Sequence, residues 1–103
     1  MAVAERSFPA DHPAAQGHFP GNPVIPGAVL LAETLRAIAA GLGVSVSSWR
    51  ISSAKFLAPA RPGDHVAIEF SRSASGGIRF ACVVGTRTVL KGELQCDTGP
   101  AEA

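Results

Sequence analysis

Residues 26–43 read Pro26-Gly27-Ala28-Val29-Leu30-Leu31-Ala32-Glu33-Thr34-Leu35-Arg36-Ala37-Ile38-Ala39-Ala40-Gly41-Leu42-Gly43. From Ala28 to Ala40 there is no glycine or proline, and alanine and leucine dominate. Both favour a helix because they lose little side-chain freedom in one. Leu31, Leu35, Ile38 and Leu42 recur at i, i+4, i+7 and i+11, which places them on one face of a 3.6-residue helix. Pro26 and Gly27 mark the entry, Gly41 and Gly43 the exit. The pattern predicts a helix over 27–41, with the Leu31, Leu35, Ile38 stripe as core.

Downstream the periodicity changes to that of strands. Val46 to Leu57 is rich in Val, Ser, Trp and Ile, and Pro59-Ala60-Arg61-Pro62-Gly63-Asp64 reads as a turn. His65 to Arg72 alternates Val66, Ile68, Phe70 with Ala67, Glu69, Ser71, the period-2 pattern of a half-buried strand. Ser75-Gly76-Gly77 is a hairpin turn, followed by strands over Ile78 to Val84 and Thr88 to Cys96. Upstream, Val3 to Phe8 reads as a short strand. Strands joined by short turns pair antiparallel, and their apolar face needs a cover, which the single helix provides. The expectation is α+β: one domain over 1–103, with a loop at 9–27, the helix at 27–41, the sheet at 46–97 and a frayed tail at 98–103.

The chain has 103 residues, enough for one modest core. With 47% hydrophobic residues and a net charge of +1 it has the opposite of a disordered composition. Nine basic residues against eight acidic ones give no field for nucleic acid or an anionic membrane. The apolar stretch Ile25 to Leu35 is interrupted by Pro26, Glu33 and Thr34, well short of the roughly 20 residues of a membrane span. Met1 onward shows no basic region followed by an apolar run, so the expectation is a soluble cytoplasmic protein. Cys82 and Cys96 form no C-x-x-C pair and read as reduced thiols.

Ahead of the helix, the first 26 residues hold five of the eight prolines. In Gly17-His18-Phe19-Pro20-Gly21-Asn22-Pro23-Val24-Ile25-Pro26-Gly27 a histidine stands among glycines and prolines, which permit unusual backbone angles and restrict freedom. Unperturbed histidine titrates near 6.5 and is a general base at neutral pH. Nine residues on, the helix opens with N–H groups that lack internal partners. An acyl thioester with its carbonyl on the Gly27 amide and its α-carbon near His18 would satisfy the needs of α-proton abstraction, because enolate charge develops on that oxygen.

The run from Asp11-His12-Pro13-Ala14-Ala15-Gln16 through Gly27 resembles the active-site segment of hotdog-fold β-hydroxyacyl-ACP dehydratases of the FabZ and ApeI-like kind. Ala54-Lys55-Phe56-Leu57-Ala58-Pro59-Ala60-Arg61-Pro62-Gly63-Asp64 resembles their second motif, A-x-F-x-x-P-x-x-P-G-D. The resemblance implies a hotdog fold, in which a central helix is wrapped by an antiparallel sheet of about five strands. It also implies a dimer with an acyl tunnel at its interface. The substrate would be a (3R)-3-hydroxyacyl chain on acyl carrier protein or CoA, dehydrated to the trans-2-enoyl form without metal or organic cofactor. His18 would remove the C2 proton and Gly27 would polarise the carbonyl, with Phe19, Pro20, Gly21, Val24, Pro26, Ala28, Leu31 and Ala32 against the substrate. The assembly would be a homodimer, a trimer of dimers, or a heterodimer with another hotdog subunit.

The family's second catalytic group is an Asp or Glu five residues after the helix-opening glycine, and here that position is Ala32. Glu33 is a substitute acid if the helix starts with a bulge or is over-wound by one residue, since one residue turns a side chain by about 100°. Its spacing from Arg36 is otherwise that of a surface pair. Asp11 reads as a turn former, and His12 and His65 match no catalytic position. Three readings follow: a dehydratase using an unconventional acid or water, a catalytically impaired subunit that binds acyl chains beside an active partner, and a hotdog acyl thioesterase. Arg50, Lys55, Arg61, Arg72, Arg79, Arg87 and Lys91 are available to an acidic carrier, but the sequence does not say which of them cluster.

Overall fold

The computed structural model describes residues 2–8, 24–44, 49–74 and 76–96, and all that follows concerns these. Five strands, β1 (Ala2–Ser7), β2 (Trp49–Phe56), β3 (His65–Arg72), β4 (Ile78–Val84) and β5 (Arg87–Cys96), accompany one helix, α1 (Gly27–Leu42). They form one antiparallel sheet in the order β1-β3-β4-β5-β2, the hotdog architecture expected. The loop and tail expectations at 9–23 and 97–103, and His18 with them, lie outside the described residues.

Alternation holds where one face is covered. Val66, Ile68 and Phe70 of β3, Ile78, Phe80 and Cys82 of β4, and Leu90 and Leu94 of β5 are buried. They are cross-strand partners, Ile68 opposite Cys82 and Cys82 opposite Leu90, and therefore share the inner face. Helix α1 packs chiefly against β1 and β3.

The helix buries a different stripe from the one its leucines suggest. Its buried residues are Leu30, Thr34, Ala37, Ile38 and Ala39, while Leu31, Leu35 and Leu42 are half-buried around that core. Of the expected stripe only Ile38 is at its centre. Ala37 has little side chain to hold the sheet away. Thr34 enters the core because its Oγ1 donates 2.8 Å to the Leu30 carbonyl, so no polar atom is stranded there. The helix ends one residue beyond expectation, where Gly43 takes a left-handed conformation at φ 70° that glycine tolerates and larger residues resist.

One irregularity matters for the site. Ile51 pairs with Leu94 and Ser53 with Glu93, so Ser52 is an extra residue that bulges β2. Before the bulge Trp49 and Ile51 follow the inner face. After it the parity changes, sending Ala54 and Phe56 inward, opposite Gly92 and Leu90, and Ser53 and Lys55 outward, opposite Glu93 and Lys91. Gly92 lies beneath: a Cβ there would stand 2.2 Å from the Ser53 carbonyl oxygen and 2.8 Å from Phe80 Cζ.

Candidate active site at the helix entry

Helix α1 starts at a fixed point. The Ile25 amide donates 2.7 Å to the Ala60 carbonyl, tying the helix entry to the segment that follows β2. Pro26, at φ −56° and ψ 142°, is the N-cap, and its carbonyl accepts from Val29 and Leu30 at 3.0 and 3.1 Å. No side chain caps this end, no acidic residue lies in the first turn, and among the described residues the Gly27 and Ala28 amides donate no hydrogen bond. Such amides carry the positive end of the helix dipole.

Beside them is a cavity of about 350 Å³ lined by Ile25, Gly27, Leu30, Phe56, Leu57, Ala58, Pro59 and Ala60. Its side chains are all apolar, so the strongest polar groups available there are main-chain groups. Phe56 is its outer wall. A Cβ on residue 27 would lie 3.0 Å from Phe56 Cε1 and 3.1 Å from Cζ, so glycine is what lets the ring lie against the helix entry. The ring remains 50% exposed. The arrangement offers backbone N–H groups to a carbonyl oxygen and an apolar chamber to the chain attached to it.

The expected site residues separate into three groups. Gly27 lines the cavity, and Pro26 is the N-cap residue just before it; Phe19, Pro20, Gly21 and His18 lie outside the described residues. Val24 is half-buried before the helix. At 100° per residue, Ala28, Leu31, Ala32 and Leu35 share one flank of the helix, set off from the buried stripe. Ala28 is exposed and the others half-buried, with Leu31 and Leu35 packed against the margin of the core. Glu33 is on the opposite flank: its Oε2 accepts 2.8 Å from Arg36 Nη1, and its Oε1 is 4.0 Å from Arg6 Nε on β1. This is the surface pair that the i, i+3 spacing suggested.

Phe56 and the Leu57 to Ala60 segment, noticed in the sequence as part of a second family-like motif but given no place in the site, line the cavity. Their signal was the bulge, which only the pairing register reveals. Two further groups stand apart from the cavity. His65 Nε2 donates 2.7 Å to Glu5 Oε1 and its Nδ1 is hydrogen-bonded at 2.7 Å with Ser7 Oγ, fastening β1 to β3. Cys82 is fully buried, 3.2 Å from Thr34 Oγ1; burial pushes its thiol pKa up from the ordinary value, with the Thr34 contact pulling the other way. No described helix is long and apolar enough to cross a membrane.

Comparison with known proteins shows the family and the fold. The ApeI-like family, described as ApeI dehydratase, matches residues 1–93. The 3-hydroxyacyl-[acyl-carrier-protein] dehydratase FabZ of Chlamydia trachomatis serovar L2 is 37% identical over 105 aligned residues, spanning 89% of this chain and 69% of that protein. FabZ of Caulobacter vibrioides is 35% identical over 107, spanning 87% and 67%. Among solved structures, the dehydratase heterocomplex ApeI:P from Xenorhabdus doucetiae superposes with a TM-score of 0.71 at 18% identity, covering 91% of this chain and 85% of that one. A variant of the fluoroacetyl-CoA-specific thioesterase FlK shares the fold at a TM-score of 0.64 and 13% identity, covering 91% and 86%. A chain that matches this family from its first strand into its last, with one helix and five antiparallel strands in the same arrangement, belongs to the ApeI-like dehydratases of the hotdog fold.

Proposed function

We propose that the chain is a hydro-lyase that removes water from a (3R)-3-hydroxyacyl thioester, carried on acyl carrier protein or CoA, to give the trans-2-enoyl thioester. The observation that carries this reading is the apolar cavity at the helix entry, lined by Gly27, whose amide donates no hydrogen bond among the described residues. A thioester carbonyl on the Gly27 N–H would have its developing negative charge met by the helix entry. His18 takes the C2 proton, the C2–H electron pair moves into the enolate, and collapse of the enolate expels the C3 hydroxyl, which leaves as water once protonated. Phe19, Pro20, Gly21, Val24, Pro26, Ala28, Leu31 and Ala32 flank the substrate.

The proton for the departing hydroxyl is the open term. Ala32 stands where the family carries its carboxylic acid, and Glu33 is engaged with Arg36 on the far flank. Water or a neighbouring subunit therefore supplies it. The apolar Ala28, Leu31, Ala32, Leu35 flank and the exposed Ile51 and Phe56 of edge strand β2 support an assembly of two hotdog chains, since an unpaired strand edge beside apolar surface invites pairing. The resemblance to the ApeI:P heterocomplex favours a second reading, a subunit that binds the acyl chain and needs a different hotdog partner for turnover. A cytoplasmic setting, in which its thiols stay reduced, goes with either.

The test is the ultraviolet absorbance of the conjugated enoyl thioester formed from a 3-hydroxyacyl carrier substrate, by the protein alone and with a second hotdog subunit. Turnover that vanishes in His18→Ala supports the enzyme. Turnover only with the partner supports the second reading. Release of free thiol without enoyl formation would replace both with a thioesterase.

A further inference from the structure

A cavity larger than the one at Gly27 is on the other side of the sheet. It is a groove of about 520 Å³ on the outer face, lined by residues of β2, β3, β4 and β5. The pairing register lays its lining out in two rows. One runs Glu69, Ala81, Lys91, Lys55, and the next Ser71, Arg79, Glu93, Ser53. Ala81 has almost no side chain, so the long residues around it become walls and its position the floor.

The first row contains a conflict. Lys55 and Lys91 are direct cross-strand partners, and like charges directly opposite each other destabilise a sheet. Both are exposed, and among the described residues no acidic side chain forms an ion pair with either. The bulge at Ser52 produces this arrangement, because without it Lys55 would face inward. Arg79 adds a third cation, its Nε 4.0 Å from Glu93 Oε1. Glu93 is further held by Ser73 and Gln95, which turns part of its charge toward those residues. A local rule broken without compensation elsewhere in the fold points to a bound group that supplies it.

We infer that this groove binds a phosphate ester of nucleotide size, with Lys55 and Lys91 as the clamp for its phosphate. Two ammonium groups carried on directly paired residues of neighbouring strands match the several acceptor oxygens of a phosphate, and the Ser53 and Ser71 hydroxyls add neutral donors. Its volume, within the range of small-molecule sites, exceeds what a bare anion fills. The Glu69 carboxylate, at the far end of the row from Lys55, suits hydrogen-bond donors on the body of the ligand. The groove lies on the opposite face of the sheet from the cavity at Gly27 and shares none of its lining residues.

Titration calorimetry with ADP and, separately, with pyrophosphate tests this on the intact protein. ADP should bind the wild type, weaken about tenfold or more in the K55Q/K91Q double variant, and be restored by K55R/K91R, because charge and not stem chemistry makes the clamp. Raising the salt concentration should weaken wild-type binding. Pyrophosphate binding as tightly as ADP, and lost in the same variant, also supports the lysine clamp and makes the phosphate its sole determinant. Binding of neither probe at millimolar concentration, or equal binding by K55Q/K91Q, overturns the inference. A melting curve gives a readout free of ligand: K91Q should match or exceed the wild-type Tm, since it relieves a like-charge pair, and a clear fall in Tm overturns the claim that the pair is uncompensated.

Discussion

Gly92→Ala is the substitution that tests whether the β2 bulge organises this molecule. The added methyl would lie 2.2 Å from the Ser53 carbonyl oxygen, 2.8 Å from Phe80 Cζ and 3.1 Å from Ala54 Cα. Even a close carbon–oxygen contact needs about 3.3 Å, so β2 must retreat by roughly 1 Å where it is paired with β5. Two of the three obstructing atoms are backbone and cannot rotate away. Overpacking of this kind costs about 1–3 kcal/mol, and loss of one strand hydrogen bond about 1 more. For a domain near this size each kcal/mol is worth about 4–8 °C, so a loss of about 3 kcal/mol should lower Tm by roughly 12–24 °C. Differential scanning calorimetry measures it. The chain's single tryptophan, Trp49, sits half-buried on β2 and should report the same displacement as an altered emission maximum. A fall in Tm of less than about 4 °C, with unchanged Trp49 emission, would show that the strand pair adjusts freely and refute the reasoning.

Four other substitutions probe separate parts of the structure. Gly27→Ala forces Phe56 aside by a few tenths of an ångström; because that ring is half exposed, Tm should move by under about 1 kcal/mol equivalent while acyl-thioester turnover or binding falls at least about tenfold. Thr34→Val keeps the shape but leaves the Cys82 thiol without its hydroxyl contact, so urea unfolding should show a loss of about 0.5–1.5 kcal/mol. Glu33→Gln removes a partly exposed pair and should cost less than about 1 kcal/mol with turnover retained; a loss of turnover would return Glu33 to the role of acid. Cys82 has its folded pKa raised by burial, so above its ordinary value of 9.0 the unfolded chain gives up this proton before the folded one does. Its contribution to stability is therefore whole below that pH and lost as pH climbs from there toward the folded pKa. In chemical denaturation, wild type should lose more stability across that alkaline window than Cys82→Ala.

The strands and the helix were legible because their signals are local. His65 to Arg72 alternates residue by residue, and burial follows the same alternation along β3. The helix was equally plain from composition and its glycine exit, yet its buried face was not. Leucine content favours the Leu31, Leu35, Ile38 stripe, whereas packing selects the face on which Ala37 permits close approach and Thr34 can satisfy its own hydroxyl. That choice depends on the opposing sheet, which periodicity in one segment does not contain. The Glu33–Arg36 pair, separated by less than one helical turn, was legible for the same reason the strands were.

The walls of the cavity were hidden by a non-local fact. In a regular strand, Ile51 facing inward would send Lys55 inward too and Phe56 outward. The extra residue at Ser52 reverses both, and nothing in the run Trp49-Arg50-Ile51-Ser52-Ser53-Ala54-Lys55-Phe56 announces it. Its cause lies some forty positions away in sequence, at Gly92, where the missing side chain leaves room for the displaced Ser53 carbonyl. One register shift thus aims an aromatic ring at the helix entry and a lysine at the outer groove. The inner cavity and the outer groove are structurally coupled through β2, although they would hold different ligands. A change at Gly92 should disturb both, whereas Gly27→Ala should disturb only the inner one.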